Sequence, residues 1–172
     1  TLLRHLDDDI SRRFNQIARD RFDVRIANAS KLEKTDNGVR LKLDNGESVE
    51  AEAILVATGR TPNGDQMDVD KAGIELLADG RVSTDEFGRT TAEGVWALGD
   101  VSSPYMLKHV ANAEARTVQH NLLHSEDLRP LPHDNVPAAI FTHPQIATVG
   151  LTEKQAREKG FDVTVKVQKF GD

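Results

Sequence analysis

Two short stretches place chemically useful residues where strands should end. Ala57-Thr58-Gly59-Arg60 sets a glycine and a cation directly after the apolar run Ala53 to Ala57. Glycine at the carboxyl end of a buried strand lets a ligand approach the backbone closely. A glycine that merely stops a strand leaves the same signature. The second stretch, Gly94-Val95-Trp96-Ala97-Leu98, runs into Gly99-Asp100. A carboxylate at a strand end can accept hydrogen bonds from sugar or ribitol hydroxyls, or it can cap the next helix. His120 and His124 stand four residues apart in a helical segment, a spacing that suits a metal. No third ligand and no His-Glu-x-x-His pattern accompanies them, so a solvated helix face is the stronger reading. Arg4 can pair with a phosphate or lie as an ordinary surface arginine.

The elements that must hold these residues follow from periodicity. Leu6, Ile10, Phe14, Ile17 and Ala18 recur at helical spacing and predict a helix over Asp7 to Asp20. Asp7, Asp8 and Asp9 at its start fit the positive helix end better than a metal. Val24-Arg25-Ile26 alternates like a strand, as do Val39, Leu41 and Leu43. Asn37-Gly38 and Asn45-Gly46 are hairpin turn pairs, so a meander is expected from Ala29 to about Glu52. Ala53 to Ala57 reads as a strand buried on both faces, and Gly94 to Leu98 as a second. The chain between Pro62 and Gly94 is turn-rich, with a possible short strand at Val82-Ser83-Thr84. A helix is predicted from about Tyr105 to Leu123, its apolar face formed by Leu107, Val110, Ala111, Ala115, Val118 and Leu122. Pro130, Pro132 and Pro137 mark a linker. Beyond it, strands are expected at Ala138 to Phe141 and Ile146 to Val149, and an alternating run at Val163, Val165 and Val167. Thr152-Glu153-Lys154-Gln155 is a capping box opening a short helix.

The 172 residues carry a net charge of −6 and 38% hydrophobic residues, a composition of globular domains. The acidic balance argues against nucleic acid or an anionic membrane as a general partner. No apolar stretch approaches the roughly 20 residues that span a bilayer. There are no cysteines, which excludes thiolate metal sites and a cysteine nucleophile within this chain. The twelve glycines contain no Gly-x-Gly-x-x-Gly, and there is no Gly-x-Ser-x-Gly elbow. The chain starts at Thr1 without Met and stops at Phe170-Gly171-Asp172, so it is expected to be an internal segment of a longer protein. Physical reasoning alone ends at a ligand-binding α/β segment joined to the start of another domain.

The order of motifs carries a resemblance. Ala57-Thr58-Gly59-Arg60-Thr61-Pro62-Asn63, the stretch Thr91 to Asp100, and Phe141 to Glu153 together resemble the pyridine nucleotide–disulfide oxidoreductases. They are similar, respectively, to an Ala-Thr-Gly-Arg-x-Pro-Asn turn, a second flavin motif and the opening of a dimerisation domain. Asn63-Gly64-Asp65 and the run Gly99 to Asn112 most resemble the branch that reduces mycothione, the disulfide of mycothiol. Lys108 departs from the Met-Leu-Ala-His usual in dihydrolipoamide dehydrogenases.

The resemblance implies an α/β fold of partial Rossmann-like FAD- and NAD(P)-binding domains plus the start of an α+β dimerisation domain. It implies that residues 1–63 are the later part of the NAD(P)H-binding domain, 64–130 the later part of the FAD-binding domain, and 131–172 the start of the interface domain. Asp100, with Gly99, would bind the ribityl region of FAD. Met106, Leu107, Lys108 and His109 would bring backbone N–H groups to the flavin N1–C2=O edge. Gly59 and Arg60 would face the nicotinamide, and Arg4 the 2′-phosphate of NADPH. The parent would be a cytoplasmic homodimer that reduces a small-molecule disulfide, with its redox cysteines and its His-Glu pair outside this chain. No catalytic residue and no metal ligand is expected here. Two alternatives remain: a dihydrolipoamide dehydrogenase or mercuric-reductase-like member, and a non-catalytic flavin- or nucleotide-binding module.

Overall fold

A computed structural model describes residues 2–168; Phe170 to Asp172 lie outside the described residues. The chain divides into two compact units, Thr1–Thr58 with Leu151–Asp172, and Gly59–Gly150.

In the first unit, helix α1 spans Asp8–Arg21. Its buried residues are Ser11 and Ala18, with Phe14 and Ile17 half-buried beside them. The Ser11 hydroxyl and the Asn15 amide both donate to the Leu2 carbonyl, at 2.8 and 3.0 Å, and tie down the preceding segment. Asp7 precedes the helix without capping it through its side chain. Its carboxylate instead accepts from the backbone N–H of Glu153 at 3.0 Å. That bond adds an anion at the start of helix α2, Glu153–Glu158, where the helix dipole favours one. Thr152 and Gln155 form the expected reciprocal capping box there.

The meander forms as expected. Strands β1 (Ala29–Thr35), β2 (Gly38–Leu43) and β3 (Ser48–Ala51) pair antiparallel in that order. The register Thr35↔Gly38 closes the first turn on Asp36-Asn37, one residue earlier than the Asn37-Gly38 pair. Gly38 therefore opens β2, with φ +145°, and a Cβ there would lie 2.2 Å from the Ala51 carbonyl oxygen. The second loop holds Asp44-Asn45-Gly46, closed by Leu43 N–H donating to Glu47 O at 2.8 Å. Leu43 is buried, while most of the sheet surface carries exposed charges.

Three expected strands do not form in this unit. Val24 to Ile26 runs without a strand partner, and Arg25 is held by Asp23 at 2.8 Å. The apolar run through Ala57 is likewise no strand, and Leu55 is 88% exposed. A strand buried on both faces needs a ladder on each edge, and none of the described residues pairs with this run. Among the described residues Val163 to Val167 also has no strand partner, and Val167 is exposed.

The second unit is built of turns packed on one helix. Short 3-10 turns at Asn63–Gln66, Val69–Ala72 and Gly99–Val101 replace regular strands. Val82, expected in a short strand, makes one isolated bridge with Leu76, and the residues before Gly99 make one between Arg89 and Trp96. Both stretches are thus extended but too short for a ladder. Helix α3 spans Lys108–Leu123, starting three residues later than expected because Met106 takes a left-handed φ of +48°. Its buried face is Val110, Glu114, Val118 and Asn121, whereas Ala115 and Leu122 are exposed. Polar groups thus share the inward stripe with two valines. The two strands expected here form as β4 (Ala138–Ile140) and β5 (Ile146–Thr148), each one residue shorter, and pair antiparallel.

Candidate functional site

The Gly99–Asp100 turn is the centre of the second unit. Gly99 sits at φ +72°, a conformation open to glycine at little cost, and starts the 3-10 turn. Its carbonyl accepts from Ser102 N–H at 3.0 Å and Ser103 N–H at 2.7 Å. Its own N–H donates to Glu114 Oε2 at 2.7 Å. With Gly99 buried and held on both sides, Asp100 is directed outward and remains exposed.

Arg60 arrives at the same place from forty residues earlier. Its guanidinium lies 3.2 Å from Asp100 Oδ2 and donates to the Met106 carbonyl at 3.2 Å. Met106 leads into α3, which begins after Leu107 with no side-chain cap and no acidic residue in its first turn. The first intrahelical bond runs from Ala111 N–H to Leu107 O at 3.0 Å. The N–H groups of Lys108, His109 and Val110 therefore have no carbonyl acceptor within the helix and carry its positive end. His109 is tied down through Nε2, 2.8 Å from the Pro137 carbonyl, while Lys108 is exposed. The arrangement offers a carboxylate that can accept from hydroxyls, a cation beside it, and uncapped N–H groups for a partly negative acceptor. It suits a ligand carrying both a polyol chain and an electron-rich heterocycle edge.

The remaining expected residues are placed as follows. Gly59 is exposed at φ +135°, and a Cβ there would meet nothing within 4 Å. Arg4 belongs to the first unit, exposed in the turn before α1. The rings of His120 and His124 lie 4.6 Å apart, but His120 Nε2 is engaged by the Asp127 carbonyl at 2.8 Å. Among the described residues, no group of three or more acidic or histidine side chains is placed to hold a metal. A cleft of about 670 Å³ lies along Ser83 to Asp85 and Arg89 to Trp96, away from Asp100 and Arg60.

Periodicity did not reveal Glu114 and His133. Glu114 is fully buried; Oε1 accepts from His133 Nε2 at 2.6 Å while Oε2 holds Gly99. Burial pushes its carboxyl up, but hydrogen bonds from His133, the Gly99 N–H and Ser103 outweigh that and hold it below the usual glutamate range. An ionised carboxylate only accepts, so His133 donates from Nε2. The available signal was position: Glu114 sits four residues after Val110 and four before Val118, in the middle of an inward stripe.

Comparison with known proteins places the chain in a family. Residues 1–115 match the model for "Pyridine nucleotide-disulphide oxidoreductase", and residues 136–172 match that family's dimerisation domain. The chain belongs to the pyridine nucleotide-disulphide oxidoreductases, whose α/β nucleotide-binding architecture it shares. It is 53% identical to mycothione reductase of Mycobacterium tuberculosis (strain H37Rv) over 99% of its own length and 38% of that protein's. It is 38% identical to dihydrolipoyl dehydrogenase of Halobacterium salinarum over 95% of this chain and 35% of the relative. Among solved structures, the HOCl-induced flavoprotein disulfide reductase RclA from Escherichia coli superposes with a TM-score of 0.83 at 31% identity. That match covers 94% of this chain and 38% of the other. The chain thus spans well under half the length of these relatives.

Proposed function

We propose that this chain forms part of an NADPH-dependent flavoprotein disulfide reductase that binds FAD and acts on mycothione. The observation that carries the reading is the convergence of Arg60, Asp100 and the uncapped start of α3 in one unit. It is supported by the 53% identity to a mycothione reductase. Asp100, presented by Gly99, accepts from the ribityl hydroxyls. The backbone N–H groups of the Met106 to His109 segment face the N1–C2=O edge of the flavin, where a helix N-terminus stabilises negative charge. Gly59 leaves the backbone open on the nicotinamide side, while Arg60, also expected there, reaches Asp100 and the Met106 carbonyl. Arg4 pairs with the 2′-phosphate of NADPH. When bound, FAD carries reducing equivalents from the nicotinamide to a redox disulfide; this chain has no cysteine, so that disulfide belongs to other residues of the protein. The boundaries near 63 and 130 separate nucleotide, flavin and interface portions, and the match at 136–172 supports a homodimer. Among the described residues no helix is long and apolar enough to cross a membrane; we place the protein in the cytoplasm.

The purified full-length protein is expected to release FAD on denaturation and to turn over mycothione with NADPH faster than with NADH. No bound flavin would end this reading. Faster turnover of lipoamide than of mycothione would move the protein to the second reading, dihydrolipoyl dehydrogenase, which the 38% identity to that relative favours.

A further inference from the structure

Glu114 is the most deeply buried titratable group described in the chain, and the site just described makes no direct use of it. Its side chain is 0% exposed, and both oxygens are committed, one to Gly99 N–H at 2.7 Å and one to His133 Nε2 at 2.6 Å. The Ser103 hydroxyl also bonds to it. His133 belongs to the proline-marked linker after α3. Its ring meets the Tyr105 ring edge-on at 5.1 Å, and its carbonyl accepts from the Tyr105 hydroxyl at 3.0 Å. Tyr105 directly precedes Met106, and His109 in turn reaches Pro137 of the same linker. The linker is therefore fastened at both ends of the 99–109 loop.

Burying a carboxylate is costly, and an apolar residue at this helical position would pack without that cost. What the carboxylate adds is three directed bonds, to the Gly99 N–H, to the Ser103 hydroxyl and to the linker at His133. Gly99 has no side chain with which to fix its own orientation: Glu114 holds the peptide that enters the turn through the Gly99 N–H, while the Ser102 and Ser103 N–H groups hold the following peptide through the Gly99 carbonyl.

We propose that Glu114 is the positioning residue of the flavin-facing Gly99–Asp100 turn, locking it to the linker through His133. The proposal rests on the reading of Asp100 as a flavin contact. It makes flavin affinity depend on a residue that touches no cofactor atom.

The test uses the flavin-loaded full-length protein and the variants Glu114→Ala, Glu114→Gln and His133→Asn. For each, the FAD dissociation constant, the visible circular dichroism of bound flavin and the melting temperatures of apo and loaded protein are measured. Glu114→Ala removes all three bonds and is expected to weaken FAD about tenfold, with an altered flavin dichroism. His133→Asn leaves the Gly99 bond and is expected to weaken FAD about threefold. Glu114→Gln keeps an acceptor for Gly99 N–H and a donor toward His133, and is expected to retain near wild-type affinity and dichroism. If Glu114→Ala and His133→Asn melt lower yet bind FAD as wild type does, Glu114 is a packing residue and the proposal fails. A Glu114→Gln variant as weak as Glu114→Ala also overturns it, because lost charge rather than lost placement would be the cause. Should Glu114→Ala not fold, His133→Asn decides: unchanged FAD affinity and dichroism overturn the proposal. A wild-type protein that holds no FAD is a separate result, one that removes the functional reading itself.

Discussion

The meander of the first unit and the turn-and-helix core of the second are held by opposite means. In the meander the backbone does most of the work: three strands satisfy one another's N–H and C=O groups through continuous antiparallel ladders. Charges decorate its surface, as in the pairs Arg40–Glu50 and Lys42–Glu33. In the second unit the loops around α3 have no such ladder. Isolated turn bonds such as Asp85 N–H to the Arg89 carbonyl close them, and side chains supply much of the rest. Asn121, 1% exposed, donates to the Phe87 and Arg129 carbonyls at 3.1 and 2.9 Å and accepts from Arg129 N–H at 2.8 Å. Glu114, two helical turns earlier, does the same for Gly99 and His133. Asp85 collects the N–H groups of Phe87 and Arg89 at 3.0 and 2.9 Å. A ligand site made of turns needs this second kind of support, because irregular backbone has no neighbouring strand to pair with.

The largest expected effect follows from that contrast. Asn121→Ala deletes three bonds and leaves part-buried backbone groups on two loops without their partner, costing about 3 kcal/mol. Hydrogen exchange read by segment should show Phe87 to Arg89 and Arg129 to Leu131 losing protection while the meander stays unchanged. A loss below about 1 kcal/mol would mean that apolar packing, not the polar strap, holds the loops.

Within the meander the corresponding weak point is backbone geometry. Gly38→Ala would set a methyl group 2.2 Å from the Ala51 carbonyl oxygen, at a φ that side chains rarely adopt. Since the obstacle is backbone, β3 must move, and about 2 kcal/mol is expected to be lost. Exchange should rise across Ala29 to Ala51 and leave Asn121 and its partners protected. Equal loosening of both units would break the distinction between them.

The same distinction explains what could be read from the chain before its structure. The meander was legible because alternation and Asn-Gly turns are local signals, and there they missed the first turn by one residue, at Asp36-Asn37. The capping box at Thr152 and the α1 stripe were legible for the same reason. Ala53 to Ala57 read as a strand on composition, and Val24 to Ile26 and Val163 to Val167 on alternation, but a strand exists only with a partner, and partnership is not local. At the site, Gly59, Arg60, Gly99 and Asp100 announced themselves as residues at the ends of apolar runs. Glu114 and Asn121 did not, since a charged or amide residue on a helix is normally read as solvent-facing. Leu122 was assigned inward on hydrophobicity and lies 58% exposed, while Asn121 beside it is buried.

A smaller effect tests whether surface caps behave like buried straps. Thr152 accepts from Gln155 N–H at 3.3 Å and Gln155 returns a bond to Thr152 N–H at 2.9 Å, both exposed. Thr152→Ala should cost about 1 kcal/mol. The fraying should be confined to Glu153–Glu158, seen as faster exchange there. A cost as large as that of Asn121→Ala would show that exposure does not set the scale.

The smallest expected effect comes from the largest electrostatic signal. Lys31 and Lys42, at 2.9 and 3.0 Å, hold the Glu33 carboxyl down to about 2 from an ordinary 4.5. Because the folded value is the depressed one, the stabilisation is complete above pH 4.5 and is lost as pH falls from 4.5 toward 2. Yet this carboxylate meets solvent, where water and salt screen the pair and two long lysines must be ordered to make it. Screening should win. Glu33→Gln is expected to destabilise the meander near pH 7 by less than Thr152→Ala destabilises its helix, and to flatten the acid limb of the meander's exchange protection between pH 4.5 and 2. Raising salt to about 0.5 M should shrink the wild-type limb in the same way, since the screening length then approaches the pair distance. Glu114 is also held below the usual glutamate range, but inside the second unit, away from solvent and salt. Its acid limb should persist at high salt. If salt erased both limbs equally, the two glutamates would be doing the same job, and the contrast between a laddered sheet and a strapped turn would not hold.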